Sequence, residues 1–594
     1  MLAVVPEHLF GREENERDIL QKHVPEFMIP AYPGPSASCI SGRKVHADKI
    51  DFTFINDCIA YCNAHHRCGP PLSSTPDWIT VYDYRNKKAV SKQLPFQYIA
   101  LSYVWGPKEE EPCLSDGSSP QVIEDVIKIA EQLEIPYVWV DSYCMEQHDP
   151  HKMQQQLNSM HRIYKNAYLT VVDGAGYSRH NGLYGISKQR NVSQTTLQLA
   201  GRLWISTLGN PQTLVQNSPW ITRGWTYQEA IASPRLLIFT EEQIYFECKA
   251  MRCWESIHIP LDCHHRKDKL RFLDSLCEPL FCQYTRNPKE FDGRGDFPRY
   301  IKHYTQRSLT NSHDALNAIA GVLRFLEKDN GHTVYNFWGI PLYAPEQKDP
   351  WALTTGMAWT LRGREINGSR EPILRRHTFP SWSWAGWQGV VESFELGKFN
   401  HYVTHTSILI QSKKESQASL SWAGYWKAEG GMEMDRRINL WASGLGPSTN
   451  RDEPYNYPWL EITTGIIRVK LRYASPRFIE ETVAKWPSLA GRIKPGFFIV
   501  PPDEGSRYTP IDFPDNDPEL STERADDICQ REWDCMLLGY TPERGYKEKE
   551  CPFVIMLNYS QRRKVTERVW GGRLWWNDGW EKSSDFKERS VRLH

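Results

Sequence analysis

Four side chains of metal-binding type lie close together early in the chain. Cys58, Cys62, His66 and Cys68 form a C-x3-C-x3-H-x-C pattern. Thiolates and imidazoles are the ligands that zinc prefers, but common zinc fingers and knuckles use other spacings. Zinc binding stays an alternative, but the pattern favours ordinary helix and loop residues. We therefore expect no metal site here.

A second group of candidates follows two short apolar segments. Ser102, Tyr103, Trp105 and Gly106 end the first segment, and Asp141 ends the second. In open α/β sheets, ligands bind beyond the carboxyl ends of the strands, so these five residues are expected to bind a ligand. The alternatives are structural: Asp141 caps the next segment, and Trp105 belongs to the core.

Three further candidates lie within seven residues of one another, at Arg223, Trp225 and Glu229. Trp225 and Glu229 are four positions apart and share one face of a predicted helix. The guanidinium of Arg223 suits a pyrophosphate, which it can contact through two parallel hydrogen bonds. The alternative roles are structural. Glu229 would stabilise its helix through the favourable interaction of a negative charge with the helix dipole near the N-terminus, and Arg223 would pair with a nearby carboxylate.

The elements that would position these residues alternate between strand and helix. Apolar segments predict strands, and stripes at helical spacing predict helices, in the order 97–103, 122–133, 137–141, 153–164 and 168–173. This β-α-β-α-β order predicts a parallel sheet with right-handed crossovers. Residues 236–246 predict a hairpin.

Composition limits the class of protein. The chain has 594 residues, of which 40% are hydrophobic and 24% charged, which is typical of globular domains. The net charge of -1 gives no overall attraction to nucleic acid, although a local basic patch stays open. No apolar run reaches the ~20 residues that span a membrane, and the first residues lack a secretory leader. We expect a cytoplasmic protein.

Three segments together resemble fungal heterokaryon-incompatibility (HET) domain proteins. They are residues 98–106 (YIALSYVWG), 138–147 (VWVDSYCMEQ) with 160–167 (MHRIYKNA), and 223–229 (RGWTYQE). Residues 304–310 and 380–384 resemble the tail that often follows this domain. Tyr143 and Met145 depart from the aliphatic residues that are commoner in the family.

This resemblance implies a fold and a domain order. HET domains look like remote relatives of TIR domains, so the expected fold class is α/β, with a TIR-like parallel sheet flanked by helices. We expect four regions: a loop-rich N-terminal region with short helices at 1–90, the HET domain at 91–250, a helical extension at 251–375, and a β-rich C-terminal region at 376–594 that contains many of the 23 tryptophans.

The same resemblance implies an activity. Some TIR domains hydrolyse NAD with a glutamate four positions after a tryptophan, which here is Glu229. It implies NAD as substrate rather than cofactor, with Glu229 as the catalytic residue. Ser102, Tyr103, Trp105, Gly106, Asp141, Arg223 and Trp225 would then contact the ligand.

Partners and rival functions also follow from the resemblance. An incompatibility protein is expected to self-associate through its HET domain, to meet an unknown partner protein, and to trigger growth arrest or cell death. The alternatives are a non-catalytic signalling module that acts by homotypic assembly and an enzyme that cleaves a different N-glycoside. Walker, G-x-G-x-x-G and G-x-S-x-G motifs are absent.

Overall fold

A computed structural model describes most of the chain. The described residues are 2–3, 27–31, 40–66, 68, 78–106, 119–146, 149–261, 293–323, 334–343, 352–366, 369–393, 403, 405–411, 417–421, 459–485, 496–500, 509–511, 522–542, 550–560, 565–574 and 586–594. They fall into two compact units. The first is residues 1–290 with 317–322, and the second is residues 291–316 with 323–594.

The described part of the first unit combines strands and helices. Its strands are β1 (Leu2–Ala3), β2 (Phe27–Pro30), β3 (Ser41–Gly42), β4 (Trp78–Asp83), β5 (Lys88–Gln93), β6 (Ile99–Ser102), β7 (Tyr137–Trp139), β8 (Leu169–Asp173), β9 (Thr196–Leu199), β10 (Arg202–Ser206), β11 (Arg235–Phe239), β12 (Ile244–Cys248), β13 (Arg252–Trp254) and β14 (Ile257–His258). Its helices are α1 (Phe52–His65), α2 (Gln121–Gln132), α3 (Asp141–Cys144), α4 (Pro150–Asn166), α5 (Pro211–Gln216) and α6 (Gly224–Ala232).

The main sheet of this unit has eight strands in the order β13-β12-β11-β8-β6-β7-β4-β5. The four central strands, β11, β8, β6 and β7, are parallel, and the two strands at each end are antiparallel to their neighbours. The chain passes from β6 to β7 on one side and then to β8 on the other. This reversal makes β6 the point at which an open α/β sheet forms a crevice at its carboxyl end.

Burial explains why the central strands form. Every residue of β6, β8 and β11 is buried, which is typical of parallel strands covered on both faces. Helix α2 buries Val122, Val126 and Ile129, three positions of one helical stripe, against this sheet. The predicted strands, helices and hairpin of this region are confirmed.

Residues before the predicted sheet also contribute to it. The antiparallel hairpin β4–β5 extends the sheet beside β7. Helix α1 begins after Asp51, whose side chain accepts hydrogen bonds from the N–H groups of Thr53 and Phe54. Its buried face, which includes Phe54 and Ile55, joins the main core. A separate four-stranded sheet has the order β1-β2-β10-β9.

The second unit is mainly β-structure. Its strands are β15 (Val334–Phe337), β16 (Ile340–Tyr343), β17 (Trp359–Arg362), β18 (Glu365–Ile366), β19 (Ser369–Arg370), β20 (Leu374–Arg375), β21 (Trp387–Gln388), β22 (Val390–Ser393), β23 (His405–Gln411), β24 (Gln417–Ser421), β25 (Trp459–Ala474), β26 (Gly496–Val500), β27 (Thr509–Ile511), β28 (Glu532–Pro542), β29 (Glu550–Ser560), β30 (Val565–Arg573) and β31 (Lys587–Leu593). Its helices are α7 (Gly293–Thr305), α8 (Ala352–Gly356), α9 (Pro476–Lys485) and α10 (Thr522–Gln530).

A nine-stranded sheet built around the long strand β25 dominates this unit. Tryptophans anchor its interior: Trp382 stacks on Phe337 with ring centroids 5.4 Å apart, and Arg568 lies 3.3 Å from the centre of the Trp359 ring. Arg568 is fully buried and donates a 2.8 Å hydrogen bond to the carbonyl of Met357. In the described residues of this unit, strands predominate and several tryptophans are buried.

The segment expected to be helical is mixed. It contains α7, but residues 312–319 form two 3-10 turns, Ser312–Ala315 and Asn317–Ile319. It also contains strands, among them β15 and β16. Among the described residues, no helix has both the length and the apolar character needed to cross a bilayer.

Candidate active site at the carboxyl end of the sheet

A hydrogen bond joins the end of β6 to helix α6. The hydroxyl of Ser102, the last residue of β6, donates to the carboxylate Oε2 of Glu229. Both residues are buried, with 1% of Ser102 and 7% of Glu229 exposed. Helix α6 therefore places the Glu229 carboxylate at the carboxyl end of β6, where the sequence predicts a ligand site.

Two aromatic residues hold this pair in place. The indole N–H of Trp220 donates to the Ser102 hydroxyl at 2.8 Å, so Ser102 accepts one hydrogen bond and donates another. The Tyr164 hydroxyl donates at 3.0 Å to the carbonyl of Leu101. Neither aromatic residue was predicted as part of the site, because both contacts bring together distant parts of the sequence.

A second carboxylate, Asp141, accepts a network of hydrogen bonds at the start of α3. Its Oδ1 accepts from the Tyr103 hydroxyl at 3.1 Å and from the backbone N–H of Ser142 at 2.7 Å. Its Oδ2 accepts from the indole N–H of Trp105 at 2.8 Å. Trp105 is 38% exposed, so it is a surface residue and not a core residue. The network joins the ends of β6 and β7.

The two carboxylates and Arg223 influence one another electrostatically. Burial, together with the negative charge of Asp141, raises the pKa of Glu229 to about 7, although Ser102, Arg223 and Tyr164 counteract this. Burial also raises the pKa of Asp141, although Trp105 and the charge of Arg223 counteract this. A carboxyl group with a pKa near neutrality can exist in either protonation state under physiological conditions.

A third carboxylate was missed. Asp173 ends β8, the strand beside β6, and is 1% exposed. Burial raises its pKa to about 7, while the backbone N–H groups of Gly176 and Ala175 lower it. Asp173 also ends a parallel strand of the sheet, so its position at the carboxyl end can be predicted from the sequence in the same way as that of Asp141.

Two of the residues predicted to bind a ligand, Gly106 and Trp225, lie against other parts of the protein. Gly106 adopts a positive φ of 87°, and a Cβ there would lie 2.9 Å from the Cβ of Ser178. Trp225 is half-buried and packs on the core cluster that contains Trp139 and Tyr164. Ligand contact by these residues stays a prediction.

The structure rearranges the cysteine and histidine pattern. Cys62, His66 and Cys68 come together with Cys248, whereas Cys58 is not in this group and its thiol lies beside Cys253 instead. Cys248 lies 180 positions after Cys68, too far for any local spacing rule to find.

A cavity lined by described residues lies between β4, α3 and α4. Its lining includes Met145, Gln156 and Arg162. Glu229 is not one of the residues that line it. That Glu229 faces a ligand-sized hollow near residues 102–106 and 141 therefore stays a prediction.

Comparison with known families covers this part of the chain. Residues 98–229 match the model of the family described as Heterokaryon incompatibility protein (HET). This segment is similar to the heterokaryon incompatibility domain. The match begins just before β6 and ends at Glu229. Residues 98–229, called the HET segment below, therefore contain every strand-end and helix candidate described above.

One curated relative extends the same similarity. Vegetative incompatibility protein HET-E-1 of Podospora anserina is 27% identical over 161 residues. The aligned stretch covers 25% of this chain and 10% of the relative, so the chain spans about a tenth of the length of the relative that it matches. The comparison with solved structures gives no significant match.

Proposed function

We propose that the chain acts in heterokaryon incompatibility as a fungal cell-death effector, and that its HET segment cleaves the nicotinamide–ribose bond of NAD. Similarity to the HET family and to a vegetative incompatibility protein supports the biological role. The observation that supports the chemistry best is the Ser102–Glu229 hydrogen bond, which holds a buried carboxylate at the carboxyl end of the central strand.

Cleavage of this bond does not require a strong general acid, because the nicotinamide leaving group is already cationic. When the bond between the ribose C1′ and the pyridinium nitrogen breaks, the bonding electrons pass to nicotinamide, which leaves as a neutral molecule. Positive charge then develops on the ribose as an oxocarbenium ion, as in glycoside hydrolysis. Water adds to C1′ and releases one proton, so the products are nicotinamide, ADP-ribose and a proton.

A single ionised carboxylate suits this transition state. The Glu229 carboxylate would stabilise the oxocarbenium charge and orient the ribose hydroxyls. Ser102 fixes the orientation of this carboxylate and favours its ionised form, since its hydrogen bond lowers the pKa. Arg223 favours the same form and supplies a cation for the pyrophosphate.

The Asp141 network would bind the other parts of the substrate. Asp141 already accepts hydrogen bonds from Tyr103 and Trp105, which fixes one edge of the site. The exposed Trp105 ring offers a surface on which a planar pyridinium can stack. TIR-like sheet order is part of this proposal: the parallel strands β7-β6-β8-β11 follow the order of open sheets that bind ligands beside the first strand.

We propose that the chain cleaves NAD only when it self-associates, because an NAD-consuming enzyme that is always active would harm its own cell. The net charge of -1 leaves little electrostatic repulsion between copies of the chain. We therefore expect nicotinamide release per molecule to increase with protein concentration.

The test follows free nicotinamide chromatographically while purified full-length protein at several concentrations is incubated with NAD. Release that rises faster than protein concentration supports the proposal. Assembly and cell death without nicotinamide release, in buffer and in cell extract, would instead indicate a non-catalytic signalling module. Release of a base from other N-glycosides, with NAD untouched, would indicate a different nucleoside-processing enzyme.

A further inference from the structure

Four side chains from two distant segments converge at one end of helix α1. Cys62 lies in the last turn of the helix, His66 caps its C-terminus, and Cys68 follows two residues later. Cys248 is the last residue of β12. The three Sγ atoms and one imidazole nitrogen all lie within 4.8 Å of one another. His66 Nδ1 is 3.4 Å from Cys248 Sγ.

This geometry is close to that of a tetrahedral metal site. Zinc binds thiolate sulfur at about 2.3 Å and imidazole nitrogen at about 2.0 Å, which places the ligand atoms about 3.5–3.8 Å apart. The observed group needs only a small inward movement of its side chains to reach these distances. Two ligands at positions i and i+4 of a helix end also point to the same side, so the local backbone already suits the site.

A buried cation beside the cluster gives independent support. Arg235 is 1% exposed, and its Nε donates to the Cys62 Sγ at 3.2 Å. Its other hydrogen bonds go to the neutral oxygens of Tyr168 and Asn63, and no carboxylate among the described residues pairs with it. A buried guanidinium without an anion is costly, so the site requires negative charge near Cys62.

Metal binding would supply that charge. Three neutral thiols leave Arg235 without a counter-ion. A zinc ion with three thiolates and one neutral imidazole carries one negative charge, which balances one guanidinium. A hydrogen bond from an arginine to a ligating sulfur is also the kind of outer contact that orients and stabilises metal ligands.

We propose that Cys62, His66, Cys68 and Cys248 bind one Zn²⁺ as a closed Cys₃His site. Binding replaces three thiol protons by the metal, with no change of oxidation state. The ion links the end of α1 to the end of β12, so its role is to stabilise the first unit. This proposal does not depend on NAD cleavage.

The first experiment measures metal content. Full-length protein from zinc-supplied cells should contain one zinc per chain by elemental mass spectrometry, and Cys62→Ala and Cys248→Ala should each reduce this to background. The matched control is Cys58→Ala: it lies one helical turn before Cys62 and is equally buried, but it is outside the cluster. It should retain the metal. Equal zinc content in all variants, or none in the wild type, would overturn the proposal.

A second experiment covers variants that fail to fold. Wild-type protein reconstituted with Co²⁺ should show the visible absorption of a tetrahedral, thiolate-bound ion. The His66→Cys variant keeps four ligands and should still bind the metal, with stronger thiolate-to-cobalt absorption. A disulfide among Cys62, Cys68 and Cys248 in freshly isolated protein, found by peptide mapping, would contradict the site.

Discussion

The Ser102 hydroxyl and the Glu229 carboxylate form a hydrogen bond although 127 positions separate them in the sequence. One residue ends the central strand, and the other lies in the helix that closes the HET segment. Groups on several elements, β6, α3 and α4 among them, influence the pKa of Glu229. Most of the following predictions depend on that influence.

The first prediction concerns pH. Because ionised Glu229 is the active form and its pKa is about 7, nicotinamide release should fall as the pH is lowered through 7. Arg223→Ala removes a charge that lowers this pKa, so the acid limb should move to higher pH. Asp141→Asn removes a charge that raises it, so the limb should move to lower pH. Rate profiles of the three proteins check the signs, and two shifts in the same direction would contradict this electrostatic account.

The second prediction concerns stability. Glu229 has a folded pKa of about 7 and an ordinary value of 4.5, so the folded state keeps its proton where the unfolded state has lost it. Protonated Glu229 therefore stabilises the folded state. This contribution to the free energy of unfolding is fully present below pH 4.5 and is lost as the pH rises towards 7, by up to about 3 kcal/mol. Glu229→Gln cannot ionise, so it should gain stability relative to wild type as the pH rises.

Chemical denaturation of wild type and Glu229→Gln at pH 5 and pH 8 measures this difference. The free energy of unfolding of Glu229→Gln, relative to that of wild type, should be higher at pH 8 than at pH 5. A difference between the two proteins that does not change with pH would show that Glu229 ionises normally in the folded protein.

The third prediction concerns Ser102. Ser102→Ala leaves the buried indole N–H of Trp220 without its acceptor, which should destabilise the first unit by about 1–3 kcal/mol. It also removes a hydrogen bond that lowers the pKa of Glu229, so the acid limb of the rate profile should move to higher pH. Trp220→Phe serves as the matched control: it removes the donor and keeps Ser102 bonded to Glu229. An unmoved acid limb in Ser102→Ala would count against the hydrogen bond.

The fourth prediction concerns Trp105. Its ring is 38% exposed, but its indole N–H donates to Asp141, so Trp105→Ala should lower the free energy of unfolding by about 1–3 kcal/mol. If the ring stacks on the substrate, the KM for NAD should rise about tenfold, while kcat changes less. Trp78→Ala, another exposed tryptophan, is the control and should leave both constants unchanged. Kinetics of the two variants decide whether Trp105 contacts the substrate.

Local patterns predicted the centre of the first unit well. The apolar runs that form β6 and β8 are buried along their whole length. A short, continuously apolar segment is typical of a strand that is covered on both faces. The helix that contains Trp225 and Glu229 was also predicted, and α6 confirms it. The strand ends, and with them Ser102 and Asp141, could therefore be located before any coordinates.

Contacts between distant segments could not be predicted in this way. Trp220 reaches Ser102 over 118 positions, and Cys248 joins His66 over 182. Such pairs depend on how the sheet is ordered, and neither periodicity nor spacing contains that information. The hairpin β4–β5 was missed because its outer strand is exposed and carries no apolar run.

The most direct test of the central claim compares nicotinamide release by wild-type protein and by Glu229→Gln at one high protein concentration and pH 8, with circular dichroism to verify the fold. The account predicts that the wild type consumes NAD and that the folded variant is slower by at least about 100-fold. Equal NAD consumption by both proteins would remove Glu229 from the mechanism.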